Sequence, residues 1–390
     1  MAIEGRGDAA IGGRIRLGMI GGGEGAFIGA VHRLAARMDA HYDLVAGALS
    51  STPDKARRSG EALGLAADRI YDDFEAMAKA EAKRPDGVEA VAIVTPNHVH
   101  AAPAIAFLKA GIHVICDKPL ALTHAEGLKI EAAVKKSGKI FALTHNYTGY
   151  PLVRRARELA QDGDLGELRL VQVEYPQDWL TTAVEKTGNK QAEWRTDPKR
   201  SGAGGALGDI GTHAYNLADF VTGLELAEIS ADLTRFGEGR ALDDNVQIMM
   251  RYRGGARGAL WASQVAPGNE NGLKLRVYGT KGGLSWSQTN PNELFHSPFG
   301  KSTRIITRGG PDAGEAAGRV TRVPPGHPEG YLEGFANIYG EVAKAIVAAR
   351  AGKKIPKGVL FPTIEDGLKG MAFVEAAVKS SKANAKWTKL

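Results

Sequence analysis

Strands and helices alternate without a break over the first 145 residues, and this alternation restricts the fold more than any other feature of the chain. Residues 15–20, 44–49, 88–94, 113–116 and 140–143 read as short apolar strands. The run Val88-Glu89-Ala90-Val91-Ala92-Ile93-Val94 is apolar almost throughout, as a strand covered on both faces must be. Between the strands lie helical stretches at 27–38, after Pro53, at 98–110 and at 123–137. The first carries Ile28, Val31, Leu34 and Ala35 on one side. Gly111 and Gly138 end the later two. Strands separated by helices pair in parallel, so this part predicts an α/β, doubly wound parallel sheet.

The pattern changes after residue 150. A helix at 151–162 leads through Gly163 and Gly166 to a strand at 168–175. Residues 226–308 are strand-rich, with alternation in Val246-Gln247-Ile248-Met249-Met250 and Leu273-Lys274-Leu275-Arg276-Val277. Glycine pairs at Gly254-Gly255 and Gly282-Gly283 suit short antiparallel turns, which predicts one large open, mostly antiparallel sheet. Residues 309–328 read as a loop, and two helices at about 329–350 and 362–380 close the chain. A length of 390 residues suits two domains. Residues 1–13 are glycine-rich and charged and are expected to be disordered, with Ile3-Glu4-Gly5-Arg6 resembling a protease site.

The net charge of +6 is spread along the chain with no basic run carrying interleaved aromatics, so nucleic acid is not expected as a partner. No apolar stretch reaches the length of a membrane span, and no signal peptide is visible. The single cysteine, Cys116, lies in the apolar run His113-Val114-Ile115-Cys116 and reads as a buried strand thiol. One cysteine forms no internal disulfide, which fits a reducing, cytoplasmic setting.

Residues 15–20 run straight into Gly21-Gly22-Gly23-Glu24-Gly25-Ala26 and then a helix. Glycines there let the backbone approach a pyrophosphate, which then meets the free N–H groups of the helix start. Gly21 and Gly23 fit the dinucleotide fingerprint, with Ala26 in its third place. The first domain, 14–148, is therefore expected to bind a dinucleotide. The second strand ends in Ser50-Ser51-Thr52 instead of a carboxylate, with Lys55 and Arg57 just beyond. NAD is expected, and nothing at this position excludes NADP.

Further on stands Gly204-Gly205-Ala206-Leu207-Gly208-Asp209-Ile210-Gly211-Thr212-His213. Asp209 and His213 are four residues apart, which places them on one face of a helix. An Asp can fix an imidazole's tautomer, and the imidazole can then take a proton from an alcohol. With the glycine turn and Asp117-Lys118-Pro119, this suggests hydride chemistry on a hydroxyl-bearing substrate. Metal binding by Asp209 and His213 lacks a third ligand at a suitable spacing, and no metal is expected.

In these motifs, with Thr95-Pro96-Asn97-His98, the chain resembles the glucose–fructose oxidoreductase / inositol dehydrogenase (Gfo/Idh/MocA) family. The resemblance covers about residues 15 to 380. It implies an N-terminal Rossmann domain followed by a substrate-binding and oligomerisation domain at 149–390, whose last helix is able to pack back on the first. Homo-oligomers built on the open sheet are also implied. By the same resemblance Lys118 contacts the nicotinamide ribose and the reacting hydroxyl. His213 is the general base in oxidation, Asp209 orients it, and Asp117 together with the loop Thr95, Asn97 and His98 meets the cofactor. The family usually has Glu where Asp117 stands, and often Asp where Asn216 stands.

Trp179, Trp194 and Arg195, in polar segments before the catalytic helix, are candidates for packing on a sugar ring and binding its hydroxyls. Thr212 and His327, the latter in Pro324-Pro325-Gly326-His327-Pro328, are further substrate candidates. The expected activity is an NAD(P)-dependent dehydrogenase of a cyclic polyol or sugar. A cofactor-retaining glycosidase and a non-enzymatic dinucleotide sensor are the alternatives. A sensor would be expected to lose catalytic residues, whereas this chain keeps all three.

Overall fold

The computed structural model describes residues 13–390, so the expectation for residues 1–12 lies outside them. The first compact unit contains the chain up to Gly149 together with Tyr331–Leu368. Its parallel sheet holds β1 (Ile15–Gly21), β2 (Tyr42–Ala48), β3 (Ala90–Val94), β4 (His113–Cys116) and β5 (Phe141–Leu143), in the order β2-β1-β3-β4-β5. The chain moves to opposite sides of β1 for β2 and β3. The carboxyl ends of β1 and β3 therefore flank the crevice where open α/β sheets bind ligands. Every residue of β3 is buried, which accounts for its unbroken apolar run.

The sequence predicts a second domain at 149–390 whose last helix is able to pack back on the first, but it is the helix before the last, Tyr331–Arg350, that completes the core of the first unit. Phe335, Ile338, Tyr339, Val342 and Ile346 pack with Ile15, Leu17, Met19 and Val31. Tyr42 also donates its hydroxyl to the Tyr339 carbonyl at 2.9 Å. Periodicity shows that a helix has an apolar face and does not say which sheet will cover it. A helix at Phe74–Glu81, absent from the sequence reading, is capped by the Asp73 carboxylate, which accepts from Ala76 N at 2.7 Å.

The second unit contains residues 150–330 and 369–390. Its nine-stranded sheet is built from β6 (Leu168–Pro176), β7 (Leu226–Thr234), β8 (Asn245–Tyr252), β9 (Arg257–Ser263), β10 (Lys274–Gly279), β11 (Gly282–Ser287), β12 (Glu293–Pro298), β13 (Arg304–Thr307) and β14 (Thr388–Lys389). Every pairing is antiparallel except β6 with β9. Helices Pro151–Gln161 and Thr212–Thr222 pack against this sheet. Burial alternates along β8, so half its side chains face away from the core. Exposed apolar side chains stand together on cross-strand partners: Leu170 beside Tyr278, and Phe295 beside Ile305, with Met249 at 56% exposure on β8. The 309–328 stretch read as a loop contains short helical turns at Pro311–Ala313 and Gly314–Gly318.

Candidate functional site

In the first unit β1 ends on Gly21 at the crevice. The backbone turns through Gly21 and Gly22 at φ of +76° and +73°, a region costly for any side chain. A Cβ on Gly21 would lie 2.8 Å from Thr95 Cγ2, and one on Gly23 would lie 2.7 Å from the Leu49 carbonyl oxygen. The helix then runs from Phe27 to Met38. Its close approach to the turn falls at Gly29 and not at Ala26. A Cβ on Gly29 would stand 2.4 Å from Gly22 Cα, whereas Ala26 is the half-buried residue preceding the helix. Because the turn is longer than the short fingerprint allows, the glycine that permits helix–turn packing arrives three residues late.

Asp117 and Lys118 follow β4 at the same sheet edge. Asp117 Oδ1 accepts from Thr144 Oγ1 at 2.8 Å and from Lys118 N at 2.9 Å. Buried His32 places Nε2 3.9 Å from that oxygen, and its Nδ1 pairs with the Tyr339 hydroxyl at 2.8 Å. Burial outweighs the pull of Asp117 and lowers the His32 pKa to about 4. His100, also buried, sets Nδ1 2.7 Å from the Pro119 carbonyl and Nε2 2.9 Å from the Thr95 carbonyl. It thereby ties the loop after β3 to the loop carrying Lys118. Burial lowers its pKa, while Asp117 and the two carbonyls act in the opposite sense. Cys116 is buried and its thiol pKa is raised by burial, so it is unsuited to nucleophilic work.

The buried polar atoms near these motifs without a hydrogen-bond partner include Thr95 Oγ1 and Asn146 Nδ2, on the segments following β3 and β5. Buried polar groups are ordinarily satisfied, so a polar ligand at this edge would complete them. The stretch Gly21-Gly22-Gly23, where a Cβ would clash with its surroundings, fits a pyrophosphate, and the unpaired atoms fit the polar part of a nicotinamide ribose or of the substrate. Ser50 accepts from Thr52 N at 3.2 Å, and Lys55 is half-buried in the helix Pro53–Ala62. Asn97 is buried and begins a short turn with exposed His98; the following helix starts only at Ala101, after His100.

In the second unit Asp209 lies in a π-helical turn, Leu207–Gly211, that runs into the helix Thr212–Thr222. Such wide turns recur at functional sites. The sequence reading assumed regular helix here. Asp209 Oδ2 accepts from Gln264 Nε2 at 2.9 Å and faces Arg195 Nε at 3.3 Å. Buried His213 is the second residue of the helix, with the Tyr175 ring 6.3 Å from its own. Thr212 commits its hydroxyl to the Gly208 carbonyl at 2.9 Å.

Trp179 donates to Gln177 Oε1 at 3.0 Å, and Gln264 Nε2 reaches that same oxygen at 3.5 Å. Trp179 thus joins the polar network around Asp209. Arg195 also donates to Gln191 and stacks over Trp194 at 4.3 Å. His327 is exposed on a loop whose backbone is braced by Arg308. Sequence reasoning missed Gln264, Gln177 and His100. Only the pair Asn97-His98 beside His100 marked that region, and nothing in the composition around Gln264 pointed to Asp209.

Residues 15–145 match the family described as oxidoreductase family, NAD-binding Rossmann fold, and residues 153–285 match the GFO/IDH/MocA C-terminal domain. The chain is 59% identical to an oxidoreductase from Sinorhizobium meliloti of known structure, covering 96% of this chain and 99% of that one with a TM-score of 0.88. An inositol dehydrogenase homolog from Azotobacter vinelandii, solved with NADH and myo-inositol, is 34% identical over 97% of this chain and 98% of its own, with a TM-score of 0.90. Levoglucosan dehydrogenase of Pseudarthrobacter phenanthrenivorans is 30% identical over 96% of this chain and 97% of its own. Among the described residues no helix is long and apolar enough to cross a membrane.

Proposed function

The chain belongs to the Gfo/Idh/MocA family of NAD-binding oxidoreductases, and from that premise we propose that it oxidises one hydroxyl of a cyclic polyol or sugar. The single observation that carries this reading is Asp209, a carboxylate gripped by Gln264 and Arg195 one turn before buried His213. A carboxylate fixed by two donors can hold an imidazole in one tautomer, which a general base requires.

His213 takes the hydroxyl proton and returns it in the reverse direction. Lys118, at the carboxyl edge of the parallel sheet, supplies an ammonium that favours developing negative charge. Asp209 orients His213 and accepts from a neighbouring hydroxyl. Bound NAD supplies the acceptor for the hydride that leaves the carbinol carbon. The glycine turn, Thr95 and Asn97 hold the cofactor, and Asp117 fixes the backbone from which Lys118 extends.

The substrate class is supported by relatives of about one-third identity, one bound to myo-inositol and one named for levoglucosan. Trp179 and the amides of Gln177 and Gln264 suit a neutral, polyhydroxylated ring. The exposed apolar pairs on the open sheet support a homo-oligomer.

The test is absorbance at 340 nm with inositols, hexoses and anhydrosugars, each with NAD and with NADP. Turnover of at least one ring polyol is expected. Absence of turnover across the whole panel with either cofactor overturns the reading.

A further inference from the structure

We propose that Asp243 is a positioning residue for Asp209, gripping the backbone turn from which that carboxylate projects. The proposal rests on the role given to Asp209 above. Asp243 Oδ1 accepts from Gly205 N and its Oδ2 from Leu207 N, both at 2.8 Å. The main-chain carbonyl of Asp243 accepts from Ala206 N at 2.9 Å. Three consecutive N–H groups at the entry to the helical segment are thus satisfied by one residue 38 positions beyond Gly205.

A local cap moves with its helix. A cap donated from a distant loop instead fixes the helix start relative to the sheet. The adjacent residue completes the arrangement. The Asp244 carbonyl accepts from Gln264 N at 2.8 Å, and Gln264 in turn holds Asp209 Oδ2. Residues 243 and 244 therefore govern both the backbone beneath Asp209 and the amide against its carboxylate.

The fit is tight. A Cβ on Gly205 would stand 2.0 Å from the Asp243 carbonyl oxygen, so no side chain is accommodated there. The carboxylate is buried, and burial raises its pKa to about 6. A buried carboxylate is costly to keep, and the backbone donors are what offset that cost.

The test is Asp243→Asn in the full chain, which keeps the shape but turns an NH2 group against a backbone N–H. Hydrogen exchange over residues 204–213 is expected to quicken by about tenfold or more, as loss of a charge-assisted bond implies. NADH affinity, read by fluorescence, is expected to stay within about twofold, because the glycine turn is untouched. With a polyol substrate, kcat should fall about 100-fold. In an Asp209→Asn background the same change should cost little more, since residues acting as a unit are not additive.

Unchanged exchange over 204–213, or a full further loss of activity in the double variant, overturns the proposal. If the wild type turns over no polyol, the proposed reaction fails, while the exchange data still decide whether Asp243 holds the turn. If Asp243→Asn does not fold, Asp243→Glu, which keeps the acceptor charge but displaces it from the Gly205 and Leu207 N–H groups, carries the same expectations.

Discussion

Gln264 donates its side-chain amide to Asp209 Oδ2 at 2.9 Å, so a carboxylate on a helical turn is fixed by a residue 55 positions later in the chain. Replacing Gln264 by Leu removes that donor and leaves the Arg195 contact at 3.3 Å. A hydrogen bond to a charged group contributes about 1.5–3 kcal/mol. The expected result is a kcat lowered roughly 10- to 100-fold with NADH affinity unchanged. Steady-state kinetics beside a fluorescence titration read the two separately, and a changed affinity at constant kcat would contradict the assignment.

Lys118→Ala and His213→Asn each remove a group assigned to the proton and charge traffic at the substrate hydroxyl. Each is expected to lower kcat/KM by about 100- to 10,000-fold, the usual range for a positioned acid or base. The variants should keep the wild-type fold by circular dichroism. Wild-type turnover in either one removes that residue from the mechanism.

Gly29, and not Ala26, is assigned to the close approach between turn and helix. Gly29→Ala would drive a methyl to 2.4 Å from Gly22 Cα, so a large loss of NADH affinity and a lowered Tm are expected. Ala26→Gly should change stability by less than about 1 kcal/mol, because Ala26 precedes the helix and is only half-buried. Calorimetry on both variants checks the order, and a more damaging Ala26→Gly would reverse the assignment.

The strand β2 is followed by Ser50 with no carboxylate, and Lys55 lies one turn into the next helix. Ser50→Asp would bring a negative charge to the place where ribose selection occurs. The ratio of kcat/KM for NAD over NADP should rise by about tenfold or more, since like charges repel the 2′-phosphate. An unchanged ratio would place cofactor choice elsewhere.

Burial lowers the pKa of His32 and His113 to about 4 and that of His145 to about 3, against 6.5 in the unfolded chain. Between those values the unfolded state binds more protons, so stability rises with pH. The contribution of these residues is complete above pH 6.5 and is lost as pH falls towards 4, at about 3 kcal/mol or more for each. Asp243 works in the opposite sense, since its folded pKa of about 6 lies above the unfolded 3.8, but it is one group against these three and His100, whose pKa burial also lowers. Urea midpoints should therefore drop steeply from pH 7 to pH 5. His113→Gln, which can still accept from Ile140 N, should flatten that slope. A wild-type midpoint independent of pH across the window would refute the account.

The motifs at Gly21–Gly23, Thr95–His98 and Asp117–Pro119 were legible because each follows a strand whose apolar run marks where it ends. Asp209 and His213 were legible from spacing, although the wide turn at Leu207–Gly211 was not, since backbone hydrogen-bond register leaves no compositional trace. Gln264 and Asp243 were invisible for another reason. An amide and a carboxylate near strand ends look like ordinary solvated residues until the sheet brings them beneath a particular helix.

By itself the sequence determined the alternation of β1 to β5, the parallel sheet it dictates and the order of the chemical motifs along the chain. These are properties of local periodicity and turn chemistry, which act over a few residues. Only the tertiary structure decided that the helix Tyr331–Arg350 belongs to the first core, that Gly29 takes the packing role, and that residues 243, 244 and 264 brace Asp209. Those outcomes depend on contacts across tens to hundreds of residues, where burial and backbone donors select partners that no local pattern encodes.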